Sequence, residues 1–296
     1  MLSLNPKELP QPKLHQYLLG AIGPRPIAFA STVDAQGRAN LAPYSFFNVF
    51  SSNPPILIFS PARRGRDNTT KHTLENALAT KECVINIVNY DMVEQMSLAS
   101  TEYPEGVSEF EKTGLTPIAS EVVRPFRVKE APVQFECKIN EVVALGNQGG
   151  AGNLIICEVV RIHIAEHILD DEGRISPIKI DQVARMGGHF YTRANQGLFQ
   201  LPQPMTQIGM GFDGLPADVR TSTVLTGNEL AQLAGVEALP NETEVNEYKL
   251  TELAELFVEF EGRAHELEQQ LHLKAKSLIG EKKIREAWMT LLSFNN

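Results

Sequence analysis

Residues 23–60 read GPRPIAFASTVDAQGRANLAPYSFFNVFSSNPPILIFS, in which β-prone runs alternate with turn residues. Residues 25–33 are mostly apolar and β-prone, which predicts a strand. The Asp-Ala-Gln-Gly sequence at 34–37 predicts a turn, and an extended pattern resumes at Arg38. The stretch therefore predicts two strands joined by a tight turn, then a polar elbow, then a third strand.

The polar elbow, NLAPYSFFN at residues 40–48, interleaves apolar and hydroxyl side chains with a proline. Proline has no backbone N–H, so Pro43 removes one donor from a sheet ladder. We expect such a segment to leave backbone amides free for a planar, hydrogen-bonding ligand.

Further strands are predicted at 83–88, 133–145 and 153–165 from their continuous apolar and β-branched content. The glycine-rich residues 146–152 lack the GxxxxGK spacing and precede no helix, so a hairpin turn is favoured over a phosphate-binding loop. No GxGxxG follows a strand. The succession of short strands predicts an all-β barrel or sandwich rather than a doubly wound sheet.

Helices are predicted in five places, and three of them lie in the last third of the chain. A helix capped by Asn68 or Thr69 precedes strand 83–88, and a short one covers residues 90–100. We interpret residues 198–245 as a wrapping segment with one short helix at 228–234, capped by Thr226. From Val245 to Leu278 apolar residues recur three or four apart, which predicts a long amphipathic helix packed on the barrel or a second subunit. A second piece follows a break near Gly280, whereas prolines argue against a long helix in residues 1–22.

The net charge of −9 lies mostly at the C-terminal end. Residues 198–296 hold 15 acidic and 8 basic side chains, which gives −7 there and leaves −2 for residues 1–197. Neither part has the basic surface of a nucleic-acid-binding protein. The asymmetry indicates two regions with different roles, 1–197 and 198–296.

No apolar run reaches the roughly 18–20 residues of a membrane span, and the first residues lack the basic-then-apolar order of a signal peptide. We therefore expect a cytoplasmic protein with no membrane partner. Cys83, Cys137 and Cys157 lie far apart in apolar runs without a CxxC pair, which predicts buried thiols rather than a disulfide or zinc site. His163 and His167 are four apart in a strand-like run, so a surface pair is favoured over a metal site.

Two polar clusters could complete a binding site with the elbow. The first, at 60–73, includes Ser60, Arg63, Arg64, Lys71 and Thr73, and suits either a phosphate group or a solvated basic loop. The second combines Arg185, His189 and Tyr191 with two glycines that let the backbone approach a ligand closely.

Four ordered segments resemble the flavin reductase-like family of FMN-binding split barrels. The similarity spans roughly residues 15–195, and its segments are RPIAFASTVDAQGRANLAPYSFFN, NPPILIFS, KHTLENALATKECVINIV and ARMGGHFY. The chain departs from the family at Lys71-His72-Thr73, where Lys-Asp-Thr is common, and after about Leu198, where the family core ends.

The resemblance implies a mainly β fold, an FMN-binding split β-barrel with short flanking helices, followed here by a C-terminal helical extension. It implies that residues 42–45 face the flavin ring, that Asn40 and Asn48 brace the elbow, and that the 60–73 loop holds the phosphate. His189 and Tyr191 would lie at the open flavin face as catalytic residues. The implied cofactor-binding residues are Asn40, Ala42, Pro43, Tyr44, Ser45, Asn48, Ser60, Arg63, Arg64, Lys71, Thr73 and Arg185.

The family also implies a homodimer and an activity. The leading hypothesis is an NAD(P)H-dependent flavin reductase that passes hydride from nicotinamide to flavin N5 and electrons to oxygen, an oxygenase or another acceptor. A second hypothesis is an FMN-binding electron carrier without a nicotinamide site. A third is a cofactor-free scaffold whose acidic tail binds a partner.

Overall fold

The computed structural model describes residues 1–201 and 208–295. The chain divides into two compact units, Met1–Phe199 and Gln200–Asn296. Each unit has a hydrophobic core of its own, and the first unit carries all of the candidate site residues.

The strands belong to the first unit, together with four of the helices. The strands are β1 (Ala28–Val33), β2 (Ala39–Tyr44), β3 (Phe47–Ser52), β4 (Pro55–Phe59), β5 (Glu82–Ile87), β6 (Pro117–Ile118), β7 (Arg127–Val128), β8 (Val133–Ala144), β9 (Asn153–Ile164), β10 (Val183–Arg185) and β11 (Tyr191–Arg193). The helices are α1 (Gln11–Ala21), α2 (His72–Thr80), α3 (Val93–Leu98) and α4 (Glu109–Thr113).

Seven of the described strands form one antiparallel sheet in the order β2-β1-β5-β8-β9-β4-β3. Strands β2 and β3 end that order on opposite sides, yet only Ser45 and Phe46 separate them in the chain. A linker of this length spans only about 10 Å, so the sheet must curl until the end of β2 lies close to the start of β3, although no strand ladder joins these two edges among the described residues. The rings of Tyr44 and Phe59, whose centroids are 5.5 Å apart, pack across that closure. The predicted all-β core is confirmed.

Strand alternation places two sets of side chains on opposite faces of β1. Ala28 and Ala30 face the barrel interior, where they meet Phe59 and the three buried cysteines. Phe29 faces a second cluster formed with α3 and α4. The three thiols are free and buried, as predicted, with the sulfur atoms of Cys83 and Cys157 at 3.6 Å.

The first hairpin turns as the sequence indicates. Asp34 Oδ1 accepts the N–H groups of Gln36 and Arg38, both at 2.9 Å, and Gly37 adopts a φ of +82° that favours glycine. The hairpin at 146–152 is also confirmed, because Ala144 pairs with Asn153 across it. These two turns fix the register of the strands that border the site.

Two helix predictions in this unit are wrong. Residues 11–21 form an eleven-residue helix despite the prolines, because Pro12 occupies the first turn, where no N–H is needed. Helix α2 begins at His72 after Lys71, without a side-chain cap, so neither Asn68 nor Thr69 caps it. Asn68 instead adopts a φ of +59° and donates from Nδ2 to the carbonyl of Asn147 at 2.9 Å, which shapes the loop before the helix.

The second unit is helical. Its helices are α5 (Ala217–Arg220), α6 (Gly227–Ala234), α7 (Glu242–Glu252), α8 (Ala254–Glu259), α9 (Ala264–Gly280) and α10 (Ile284–Leu292). The Thr226 cap is confirmed as a capping box with Glu229. Trp288 is fully buried in the core and donates from Nε1 to the carbonyl of Leu233 at 3.1 Å.

Two predictions for this unit need correction. The wrapping segment at 198–245 contains α5 as well as α6, and its residues 202–207 lie outside the described part of the chain. The long helix from Val245 is divided into α7, α8 and α9, with Gly262 at a φ of +77° before α9. The break after Gly280 is confirmed.

The apolar stripe of these helices packs inside the second unit. Leu253, Leu267 and Leu271 are buried together there, whereas Leu250 is 75% exposed. Its docking on the barrel or on a second subunit stays a prediction.

Candidate functional site

A groove in the first unit is bordered by β2, the loop 60–71, the start of α2 and the segment 99–109. One cavity, open to solvent, is lined by Asn40, Pro43, Tyr44, Arg64, Lys71 and Thr73. Ala42 lines it as well. The structure thus brings together seven of the candidate residues from two separated parts of the sequence, the elbow and the 60–73 cluster.

Hydrogen bonds among buried side chains form the base of the groove. The Tyr44 hydroxyl lies 2.8 Å from Thr73 Oγ1, and Asn40 Nδ2 donates to the same oxygen at 2.9 Å. Asn40 also reaches Thr32 Oγ1 at 3.3 Å. Burial raises the pKa of the Tyr44 phenol, which therefore stays neutral. These bonds tie β2 to the first turn of α2.

The cationic end of the groove contains Arg64, Arg66 and Lys71. Burial, and after it the charge of Arg64, lowers the pKa of Lys71, whose Nζ lies 5.2 Å from the Tyr44 ring centroid. Arg64 donates from Nη1 to Thr69 Oγ1 at 3.1 Å and to the carbonyl of Thr70. Glu102 pairs with both arginines, with 3.2 Å between its Oε1 and Arg64 Nε. Two paired arginines beside a half-buried lysine suit an anionic ligand.

Arg63 and Ser60 differ from the other residues of the 60–73 loop in their hydrogen bonds. Arg63 lines the outer wall of the cationic end, but its Nε donates to Asn68 Oδ1 at 2.7 Å and its backbone N–H to the carbonyl of Ala151 at 2.9 Å. The Ser60 hydroxyl is buried without a hydrogen-bond partner among the described residues, beside Gly152, where an added Cβ would lie 2.7 Å from it. Arg63 therefore holds the loop, and Ser60 keeps an unused donor.

The opposite end is lined by Pro43, Tyr44, Ser45, Arg185 and Tyr191. Arg185 donates from Nη1 to the Tyr191 hydroxyl at 3.1 Å and from Nη2 to the carbonyl of Gly188 at 2.9 Å. Its guanidinium carbon lies 4.8 Å from the Tyr191 ring centroid. Its Nε is buried without a hydrogen-bond partner in the described chain. The side chain is thus oriented by two bonds while one donor stays available.

The outer edge of β2 also offers backbone groups, because this strand ends the sheet. The Leu41 N–H donates to Glu109 Oε2 at 2.9 Å, so it points away from β1. Backbone direction alternates along a strand, which turns Pro43 to the same outer edge as Leu41. Pro43 has no N–H, so at this position the edge offers only a carbonyl acceptor.

Two predicted site residues lie away from the groove. Asn48 is exposed in β3, and its Oδ1 accepts from the N–H of Val49 at 2.8 Å rather than bracing the elbow. His189 is exposed in the turn between β10 and β11 and is not among the residues that line the groove. The expected brace from Asn48 stays a prediction, whereas Tyr191 lines the groove.

Four residues in or beside the groove were missed in the sequence. Arg25 is buried beside Ser45 and donates to the carbonyls of Leu19 and Met186, at 2.7 and 2.9 Å. Burial raises the pKa of Glu109, although the Leu41 N–H opposes this shift. Glu102 and His15 line the cationic end. His15 could have been found from its i, i+4 spacing with Gln11 on α1, had the helix been recognised.

The described part of the chain contains neither a membrane-spanning helix nor a cluster of metal ligands. No helix in this part of the chain is long and apolar enough to cross a membrane. No group of three or more histidine, cysteine, aspartate or glutamate side chains there could hold a metal ion.

Comparison with known proteins places this fold among the split-barrel proteins of the flavin-linked oxidoreductase class. The flavin reductase like domain model matches residues 21–179, and the chain belongs to this family. An uncharacterised protein of Aquifex aeolicus is 40% identical over 188 residues, which are 64% of this chain and 93% of that protein.

Solved structures show the same fold. Nitrilotriacetate monooxygenase component B from Bacillus cereus is 36% identical with a TM-score of 0.64, over 68% of this chain and 98% of that one. A split-barrel protein of Shewanella frigidimarina, assigned as a candidate flavin reductase, is 29% identical with a TM-score of 0.57, over 67% of this chain and 96% of that one. The predicted split barrel with a C-terminal helical extension is confirmed.

Proposed function

We propose that the protein is an FMN-binding oxidoreductase, specifically an NAD(P)H-dependent flavin reductase. The observation that carries the proposal is a groove with anchored cations at one end and a polar strand edge with Arg185 at the other. A flavin mononucleotide has the same order of groups, a phosphate joined through a ribityl chain to a planar ring.

The residues of the groove fit FMN at both ends. Arg64 and Lys71 would hold the phosphate by charge-assisted hydrogen bonds, on a base fixed by Thr73. At the ring end, the unpartnered Nε of Arg185 would supply a donor, and the Pro43 carbonyl on the outer edge of β2 would supply an acceptor. The buried, unpartnered Nε favours a polar ligand, because a buried unpaired group is costly.

When bound, FMN would supply the redox chemistry by accepting a hydride from NAD(P)H and passing electrons to an acceptor. The protein's own residues position the ring. Pro43 and Tyr44 form one wall, and Tyr191, held by Arg185, lies at the end where a nicotinamide could approach. Because the flavin would supply the redox chemistry and the protein only its position, no acid–base triad is needed.

The acceptor we propose is an oxygenase or another electron acceptor. The support is the similarity to a component of nitrilotriacetate monooxygenase, which is 36% identical. A partner that receives reduced flavin is consistent with a groove that is open to solvent rather than enclosed.

We also propose a homodimer. Strand β3 ends the sheet, and its Val49 and Phe50 are 62% and 64% exposed. Ile162 of β9 is also 50% exposed. An apolar edge strand invites pairing, and a second copy of the chain would cover it.

The test is to purify the protein, add FMN, and record the flavin absorbance during anaerobic addition of NADH or NADPH. Binding and bleaching of the flavin are expected. A protein that binds no FMN and oxidises neither nicotinamide contradicts the proposal. FMN binding with reduction only by a protein donor would instead support an electron carrier, whereas partner binding without FMN would support the scaffold hypothesis.

A further inference from the structure

Glu102 lies at the cationic end of the groove and contacts both of its surface arginines. One carboxylate oxygen is 3.2 Å from Arg64 Nε, and the other pairs with Arg66 Nη2. The residue stands in the segment between α3 and α4, far in sequence from the loop that carries the arginines. Glu102 is 44% exposed, so it can leave without disturbing the core.

The N–H donors of the Arg64 guanidinium serve two different sets of acceptors, its own loop and Glu102. Nη1 donates to Thr69 Oγ1 and to the carbonyl of Thr70, which fixes the side chain on its own loop. The remaining edge of the guanidinium is formed by Nε and Nη2, the pair that arginine uses for bidentate binding of phosphate or carboxylate. Glu102 already contacts Nε, so it and a bidentate phosphate cannot use this edge together.

Arg66 reinforces the competition. Its Nε pairs with Asp67 Oδ2 at 3.2 Å, and its Nη2 pairs with Glu102. The carboxylate of Glu102 thus partly neutralises two cations that would otherwise attract a phosphate dianion. Both arginines lower the pKa of Glu102 against the opposing effect of burial, so the residue is ionised at neutral pH.

We propose that Glu102 is a displaceable anion that competes with the FMN phosphate for Arg64 and Arg66, and so keeps the flavin exchangeable. The inference rests on the proposed function and deepens it. Binding exchanges a carboxylate for a phosphate on the arginines, and release lets the carboxylate return. A reductase that releases reduced flavin to a partner requires weak FMN binding, whereas a protein that keeps FMN as a permanent cofactor does not.

Glu105 provides a matched control in the same segment. It pairs with an arginine as well, at 2.7 Å between its Oε1 and Arg38 Nη2, but it does not line the cationic end. Glu102→Gln and Glu105→Gln each remove one exposed negative charge. Only the first removes the proposed competitor.

The experiment measures FMN and riboflavin dissociation constants by flavin fluorescence, and FMN release by stopped flow, for full-length wild type and both variants. Glu102→Gln is expected to tighten FMN about tenfold, the effect of one modest charge interaction, and to slow its release. Riboflavin, which lacks the phosphate, should bind all three proteins equally. Unchanged or weaker FMN binding by Glu102→Gln overturns the inference, and so does equal tightening of riboflavin.

A titration of inorganic phosphate, followed by ³¹P line broadening, separates this inference from the proposed function. If wild type binds no flavin, the proposed function fails, but tighter phosphate binding by Glu102→Gln still supports Glu102 as the competing anion. Equal phosphate binding by wild type and variant, without flavin binding, overturns both.

Discussion

The hydroxyl of Tyr44 lies 2.8 Å from Oγ1 of Thr73 and joins strand β2 to the start of helix α2. Strand β2 runs toward the end lined by Ser45 and Arg185, and helix α2 begins directly after Lys71 of the cationic end. The geometry of a ligand that contacts both ends therefore depends on a buried bond that need not touch the ligand.

Thr73→Val should destabilise the protein more than Tyr44→Phe. Valine leaves two buried donors, from Asn40 and Tyr44, without their acceptor, at a cost of about 2–3 kcal/mol in the free energy of unfolding. Phenylalanine removes one bond and costs about 1 kcal/mol. Urea unfolding of both variants measures this, with Thr73→Ser as a control that should stay near wild type. Equal losses of unfolding free energy in Thr73→Val and Tyr44→Phe would show that Thr73 Oγ1 does not accept from both Asn40 and Tyr44.

Arg64→Ala should weaken FMN binding by about 1.5–3 kcal/mol, the range for a hydrogen bond to a charged group. Riboflavin binding should change little, because it lacks the phosphate. Fluorescence titration with both ligands measures the difference, and Arg38→Ala serves as a control for loss of an exposed arginine held by Asp34 and Glu105. Unchanged FMN affinity would remove Arg64 from the phosphate end.

Arg185→Lys should weaken FMN and riboflavin by the same factor, about tenfold for a lost ring contact. Lysine keeps the charge but lacks the Nε donor and the planar group over Tyr191. The same titrations measure it. A loss confined to FMN would place Arg185 at the phosphate rather than at the ring. Tyr191→Phe, which removes only one bond that orients Arg185, should have a smaller effect.

The second unit should lose stability as the pH falls below about 6.5. His272 is 6% exposed, and burial lowers its pKa, although Glu268 and Asp218 oppose the shift. The unfolded chain therefore takes up a proton before the folded unit does, so stability is present above the unfolded pKa and falls on acidification. Nδ1 of His272 also lies 2.7 Å from the Ser222 hydroxyl, which already accepts the N–H groups of Val224 and Leu225.

Trp288 is the chain's single tryptophan and reports on this unit alone. Urea unfolding followed by its emission at about pH 7.5 and about pH 5.5, on either side of the usual histidine pKa, should show a lower midpoint at the acid value. The difference should shrink in His272→Gln. A variant with the full acid effect would assign the titration to another group.

Phe50→Glu should convert the proposed dimer to monomers, because it places a charge on the exposed edge strand β3. Light scattering after size exclusion measures the mass. Leu78→Glu, at a 51% exposed position on α2, is the control and should remain dimeric. A monomeric wild type would contradict the proposed assembly.

Local patterns predicted much of the first unit. Strands β1, β5, β8 and β9 follow from runs of β-branched and apolar residues, and the turn at Gly37 follows from its local residues. The elbow and the basic loop were also recognised, because the groove residues they supply are close in sequence.

The features that the sequence did not predict depend mostly on contacts between residues far apart in the chain. Glu102 pairs with Arg64 across 38 residues, and no local spacing predicts such a pair. Arg25 resembles a surface cation in sequence, but the carbonyls of Leu19, Ile22 and Met186 bind it in the fold. In the second unit, the apolar spacing gave no sign that the helix ends at Glu252, because Leu253 continues the stripe while leaving helical geometry.

Trp288 provides an internal fluorescent reporter of distance to a flavin in the groove. The indole is buried in the helical unit, whereas the groove lies in the barrel unit. Indole emission overlaps flavin absorption, so a flavin in the groove would quench Trp288 by energy transfer to a degree set by their separation.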